Sequence, residues 1–322
     1  MVSWPADYNG PWTLASCVSR SGIGLHSGQQ CEVTLAPSEQ EGFSVRWLDQ
    51  TSKPVRLDPT QVRDSQLCTT LDFGDRQLST VEHLLAALAG CGVSHVELQV
   101  SGTEIPLLDG SALGWVEAIA EAGLTAASTP RCPPLVLSEP LAFHRGNSAI
   151  VATPADRFTL VGVIDFPQQA IGRQQLAIEL TPQRFIDEIA PARTFGFREQ
   201  VEQLRSSGLI RGGALDNALV CDGDSWMNPP LRFPDEPVRH KILDLIGDLA
   251  LVGFPQAQVL VYRGSHGLHT ELAAALADHS FLNAEPLDRS CLYRHTICGA
   301  ECRADHGVAA PSLSIRVGGS GA

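Results

Sequence analysis

The chain is short of positive charge. Its 322 residues carry 23 Lys and Arg against 36 Asp and Glu, a formal net charge of −13. Phosphate backbones and anionic bilayers are gripped by clustered basic side chains, so this balance excludes a general nucleic-acid or membrane-surface binder. It still allows one small anionic ligand, which two or three local basic groups can hold. Long apolar runs are missing as well: stretches such as "LALVGF" fall far short of a bilayer span, and no stable membrane insertion is expected. The start, "MVSWPADYNG", has neither a basic region nor an apolar core, and the nine cysteines are odd in number and scattered. Both features point to a reducing, cytoplasmic setting with free thiols. A C-x-x-C pair is absent, so the tail "CLYRHTICGAECRADH" lacks the tight pair that a zinc knuckle prefers.

What is present is ordinary globular material. A hydrophobic fraction of 43% with 18% charged residues argues against disorder, and the length suits two domains or one large one. "TLASCVSRSGIGLHSGQQCEVTLAP" reads as two strands around a Gly-rich turn, "GFSVRWLD" and "SHVELQVSG" as further strands, and "DGSALGWVEAIAEAGL" as a helix. Residues 125–135, with three prolines, read as a linker. A similar order follows: strands "AIVATPA", "FTLVGVIDFP" and "QQLAIEL", a helix from Thr181, the helix "REQVEQLRSSG" closing at Gly208, the long helix "EPVRHKILDLIGDLALVG", strand "AQVLVYRG" and a last helix "HTELAAALADH". The expected fold is α+β, with a first α/β domain over 1–128, a second over 129–284 and a poorly ordered tail over 285–322.

Two places stand out chemically. In "LSTVEHLLAALAGCG", Ser79 and Glu82 have the spacing of a capping box, which makes Glu82 a helix end-piece, yet His83 follows it directly in an otherwise apolar helix. In "RHKILDLIGDL", His240 and Asp244 stand four apart and project side by side from a helix, with Asp248 one turn on. One reading is a polar stripe facing water while Ile242, Leu243, Ile246 and Leu249 face the core. The other is a pair of ligands gripping one zinc ion, which needs a third ligand from elsewhere and a carboxylate beside it. Glu82-His83 has that composition.

The ordered stretches "SGIGLHSG", "STVEHLLAALAG", "EIPLLDGSA", "ARTFGF", "LRSSGLIRGGALDNALV", "LRFPDEPVRHKILDLIGDLALVG" and "HGLHTEL", spanning about residues 13–282, resemble the zinc-dependent UDP-3-O-acyl-N-acetylglucosamine deacetylase family of lipid A biosynthesis. The resemblance implies two similar α/β sandwich domains packed face to face with the site between them. It implies one Zn2+ per chain held by His83, His240 and Asp244, and a UDP-linked, 3-O-acylated amino sugar as substrate, which loses its N-acetyl group as acetate. Glu82 then matches the general base, His266 the general acid and Asp248 the partner that holds it, while Lys241 and Thr194 match groups that stabilise the oxyanion. His26 and Phe195 match substrate neighbours. An insert over about 196–225 is expected to pass the acyl chain, with Leu204, Leu209, Ile210 and Ala218 as lining residues, and Arg263 is expected near the diphosphate. Ser265 stands where the family usually has glycine, a residue free to take positive φ. A cytoplasmic monomer is expected. The competing readings are another zinc amidase and a non-catalytic lipid- or sugar-nucleotide-binding protein on the same scaffold.

Overall fold

The computed structural model describes residues 2–49, 53–63 and 67–278. The tail from residue 285, with its cysteines and histidines, lies outside the described residues.

Two sheets carry the chain. In the first, strands run in the order Leu124–Ala126, Trp12–Leu14, His95–Val100, Gln30–Pro37, Val18–Ile23, and Gly42–Trp47 pairs parallel with His95–Val100. In the second the order is Leu141–Arg145, Ser148–Pro154, Pro255–Tyr262, Thr159–Asp165, Arg173–Glu179. The alternation in "SHVELQVSG" becomes a strand with Val96, Leu98 and Val100 fully buried. Two small three-stranded sheets complete the described part: Val62–Arg63, Thr70–Asp72 and Gln77–Ser79, and Phe195–Phe197, Leu219–Asp222 and Ser225–Trp226.

Among the described residues six α-helices join them: α1 (Glu82–Gly90), α2 (Leu113–Ala122), α3 (Pro182–Arg184, running on as a π turn to Ile189), α4 (Arg198–Ser206), α5 (Glu236–Leu249) and α6 (His266–Ala277). α2 packs on Val18–Ile23 and against α1, α1 packs against α5, and α5 lies on Thr159–Asp165 beside α6. One continuous apolar core therefore runs from Leu14 and Val33 through Leu84 and Leu88 to Ile242, Ile246 and Leu272. α1 is apolar all round because it is covered all round, and only Ala89 of its nine residues escapes full burial. No helix among the described residues is long and apolar enough to cross a membrane.

α1 and α5 approach closely at one glycine. A Cβ on Gly247 would sit 2.0 Å from the Glu82 carbonyl oxygen, so any larger residue must push the two helices apart. Gly247→Ala is expected to cost about 1–3 kcal/mol, the usual penalty of overpacking, measured by thermal or urea denaturation. The same shift displaces Glu82 at the first position of α1.

Candidate active site

α1 does not begin as the sequence spacing suggests. Ser79 ends the strand Gln77–Ser79, where its hydroxyl accepts from the Thr70 hydroxyl at 3.0 Å. Thr80 turns the chain with φ +58°, and Val81 is the N-cap, with no side-chain cap bond. Glu82 is thus the first helical residue rather than the third, and the expected capping box does not form. Strand pairing took Ser79, and with it went the cap. Glu82 is 3% exposed, and its Oε2 accepts the Thr69 backbone N–H at 3.0 Å. Burial raises its pKa above the ordinary carboxyl value; the neighbouring His266 and His83 pull it back, while Asp248 and Asp244 add to the rise.

α5 brings its three polar residues inside. His240, Asp244 and Asp248 are 2%, 2% and 1% exposed, which overturns the reading of a water-facing stripe. The helix start is fixed by Glu236, fully buried, which accepts from the Arg193 guanidinium at 2.8 Å and from the backbone N–H groups of Arg193 and Arg232 at 3.0 and 2.6 Å. This places segment 192–194 beside α5. There His240 Nδ1 donates to the Ala192 carbonyl at 3.1 Å, which fixes the tautomer and leaves Nε2 with its lone pair free. Burial, with His83 and Lys241 close by, pushes His240 down to about 3, so it stays neutral.

His240 Nε2 lies 3.3 Å and His83 Nε2 3.7 Å from Asp244 Oδ1, and that oxygen is buried without a hydrogen-bond partner. One atom from each of the three residues falls within 4.8 Å of the others. Ligands at about 2.0–2.1 Å around a tetrahedral ion stand roughly 3.3–3.4 Å apart, so an orphaned carboxylate oxygen facing two imidazoles fits a bound cation. The other Asp244 oxygen accepts from Lys241 Nζ at 2.8 Å. Burial alone would raise the Asp244 pKa, but Lys241 and His240 outweigh it and hold the carboxyl well below its usual range. For Lys241, burial is likewise overcome by Asp244, and its pKa rises.

A second group, Asp248, His266 and His269, adjoins the first. His266 Nδ1 and His269 Nδ1 donate to the same Asp248 oxygen at 3.0 and 2.9 Å, and the Thr69 hydroxyl donates to the other. These nitrogens already have their partner, so the group is a hydrogen-bonded relay rather than an open donor set. Burial would lower His266, yet Asp248 and Glu82 raise it to about 9, so the ring is an imidazolium at neutral pH. Its Nε2 points back to Glu82 Oε1 at 3.8 Å and Asp244 Oδ2 at 4.0 Å. His266 is the first residue of α6, three residues earlier than the sequence pattern places that helix. Ser265 sits there with φ −139°, extended backbone that needs no glycine.

The three-residue donor set, with Glu82, Lys241 and His266, opens onto a cavity of about 910 Å³, while Asp248, His269 and Thr69 stand behind it. It is lined by Glu82, His83, His240, Lys241, Asp244 and His266 at its polar part, together with His26, Thr194, Phe195, Leu204, Ile210 and Ala218. The Phe195 ring lies 5.8 Å from Lys241 Nζ and 6.4 Å from the His240 ring. Leu209, expected as a lining residue, and Arg263, expected near the diphosphate, are not among its lining residues. Leu209 follows Gly208 (φ +81°) in the turn that ends α4, where its N–H bonds the Leu204 carbonyl. Arg263, φ +51°, is exposed and directly precedes Gly264, which does line the cavity. Thr69, His269 and Glu236 were not among the candidates. His269 is signalled by the H-x-x-H spacing of "HGLHTEL", whereas nothing periodic marks Thr69 or Glu236.

Buried imidazole and carboxylate donors, with a carboxyl of raised pKa and an imidazolium alongside, characterise a metalloenzyme. The family model for UDP-3-O-acyl N-acetylglycosamine deacetylase (LpxC) matches residues 12–278, and the chain belongs to that family. It is 50% identical over 270 residues to a protein of Thermosynechococcus vestitus, covering 82% of this chain and 93% of that one. It is 45% identical over 270 residues to one of Synechocystis sp. (83% and 98% covered) and 41% identical over 271 residues to one of Anaeromyxobacter sp. (83% and 88% covered). All three are named UDP-3-O-acyl-N-acetylglucosamine deacetylase.

Proposed function

We propose that the protein hydrolyses the N-acetyl group of UDP-3-O-(3-hydroxyacyl)-N-acetylglucosamine, giving acetate and the free amine, with one zinc ion held by His83, His240 and Asp244. The observation that carries this reading is the donor-free Asp244 oxygen facing two imidazoles, flanked by a raised carboxyl at Glu82 and an imidazolium at His266. Residues 1–128 and 129–284 are read as the two domains that meet at this site.

Zinc, when bound, supplies Lewis acidity, polarising a carbonyl and lowering the pKa of a water to about 7. Glu82 takes a proton from the attacking water with Oε1, the carboxylate oxygen that faces His266 Nε2 at 3.8 Å. The Lys241 ammonium and the Thr194 hydroxyl stabilise charge developing on the amide oxygen. His266 gives its Nε2 proton to the departing amine, and Asp248 holds Nδ1 so that Nε2 faces the reacting atoms. One water is consumed, the C–N bond breaks, and the amine leaves with the proton from His266. His26 and Phe195 meet the sugar, Leu204, Ile210 and Ala218 the acyl chain, and Arg263 the diphosphate. The same reading takes the protein as a cytoplasmic monomer, and its acidic balance disfavours a nucleic-acid partner.

The test is the pH profile of acetate release. Activity needs Glu82 ionised, so kcat/KM rises with pH through its raised pKa. It needs His266 protonated, so kcat/KM falls as pH climbs through about 9. Asp248→Asn removes the charge that raises His266, and the alkaline limb is expected to move about one unit or more to lower pH. An unmoved limb contradicts the assignment of His266 as acid.

A further inference from the structure

Glu104, which bonds to His26 and Thr80 of the cavity lining, carries no role in the reaction described above. Glu104 is 4% exposed and pairs with no basic side chain among the described residues. Its Oε1 accepts the His26 backbone N–H at 2.7 Å and the Thr80 hydroxyl at 3.0 Å, and its Oε2 accepts the Ser27 N–H at 2.7 Å. Two successive N–H groups converging on one carboxylate make a charge-assisted clamp. Gly24 is shaped to admit it: a Cβ there would stand 2.3 Å from Glu104 Oε2. On its other side the same loop is held by the Gly212 N–H, which donates to the Leu25 carbonyl at 3.0 Å.

The clamp ends on two functional places. Thr80, with its left-handed backbone, is the turn that delivers Glu82 and His83. His26 lines the cavity, and neither of its ring nitrogens has a hydrogen-bond partner among the described residues. The residue itself is half-buried, and two ring nitrogens shielded from solvent without a partner await a polar group such as a bound ligand supplies. We propose that Glu104 is a positioning residue: it fixes the His26 loop against the start of α1, so that the His26 ring meets the sugar nucleotide at a set distance from the base. The inference rests on the deacetylase reading. It assigns Glu104 to substrate binding rather than to the chemical step.

Glu104→Gln keeps the shape and one acceptor but turns an amide N–H2 toward a backbone donor. KM for UDP-3-O-(3-hydroxyacyl)-N-acetylglucosamine is expected to rise about tenfold, with kcat changed less than about threefold. Calorimetric binding of the deacetylated product weakens by the same factor. In a His26→Ala background the further change is expected to stay under about twofold, because the clamp acts through that ring. Gly24→Ala, which displaces the carboxylate without touching its charge, produces the same pattern and carries the test should Glu104→Gln not fold. Unchanged KM and product affinity, a loss confined to kcat, or effects that multiply with His26→Ala overturn the proposal. Failure of the unsubstituted protein to release acetate overturns the deacetylase reading instead, and product binding then still decides the role of Glu104.

Discussion

Glu82→Gln is expected to lower kcat/KM for acetate release by about 10²–10⁴-fold while leaving the metal content unchanged. The amide has the same size, and its oxygen can still accept from the Thr69 N–H that now binds Oε2 at 3.0 Å. What it loses is the ability to take a proton. The side chain is placed for that task by its position rather than by a cap. As the first residue of α1 it projects from the helix start toward His266, 3.8 Å away, and its burial keeps the carboxyl's pKa above the ordinary value, nearer working pH. The loss should fall on kcat rather than KM, since the proton moves only in the transition state. Parallel metal analysis separates this result from a ligand defect: a Glu82→Gln protein that loses its metal, or one that keeps full activity, removes Glu82 as the base.

The second large effect is on the metal. His240→Ala is expected to weaken metal binding by more than the 10–100-fold that loss of a mere supporting hydrogen bond costs, and to reduce activity in step. His240 is held at both ends, by Ala192 through Nδ1 and by the α5 backbone, and it stays neutral down to about pH 3, so its Nε2 is a ready donor. Removing it leaves Asp244 Oδ1 facing His83 alone, at 3.7 Å. The ratio of metal to protein after dialysis against a weak chelator reads the effect directly. A ratio equal to that of the unsubstituted protein contradicts the ligand set. His83→Ala takes the third donor from the other helix and should behave alike.

The part of the site legible in the sequence is the part set by helical spacing. His240 and Asp244 are neighbours because they stand four apart on α5, and no tertiary contact is needed to see it. The start of α1 is not legible in the sequence, for the opposite reason. Ser79 and Glu82 have capping spacing, but the hairpin Thr70–Asp72 with Gln77–Ser79 claims Ser79, and the Thr80 turn moves the helix start to Glu82. Local pattern yielded to strand pairing between segments that no periodicity links. Thr69, bonded to Glu82, Asp248 and His266 at once, lies just ahead of that same hairpin and was invisible for the same cause. Glu236 and Glu104 are buried carboxylates that each accept two backbone N–H groups, which carry no side-chain signature, and their side-chain partners Arg193 and Thr80 stand at separations that no helix or strand period links. Leu209 shows the limit of reading lining residues from apolar character: Gly208 turns it into the end of α4, while Leu204 and Ile210 on either side reach the cavity.

Metal-dependent N-deacetylation at the centre formed by α1, α5 and α6 ties acetate release to bound zinc. It is tested most directly by titrating zinc into chelator-treated protein and measuring acetate released from UDP-3-O-(3-hydroxyacyl)-N-acetylglucosamine. Acetate release is predicted to vanish on chelation and to return in proportion to added zinc, reaching its full value at one equivalent per chain. Release that survives complete chelation, or none at any zinc level, would contradict the account.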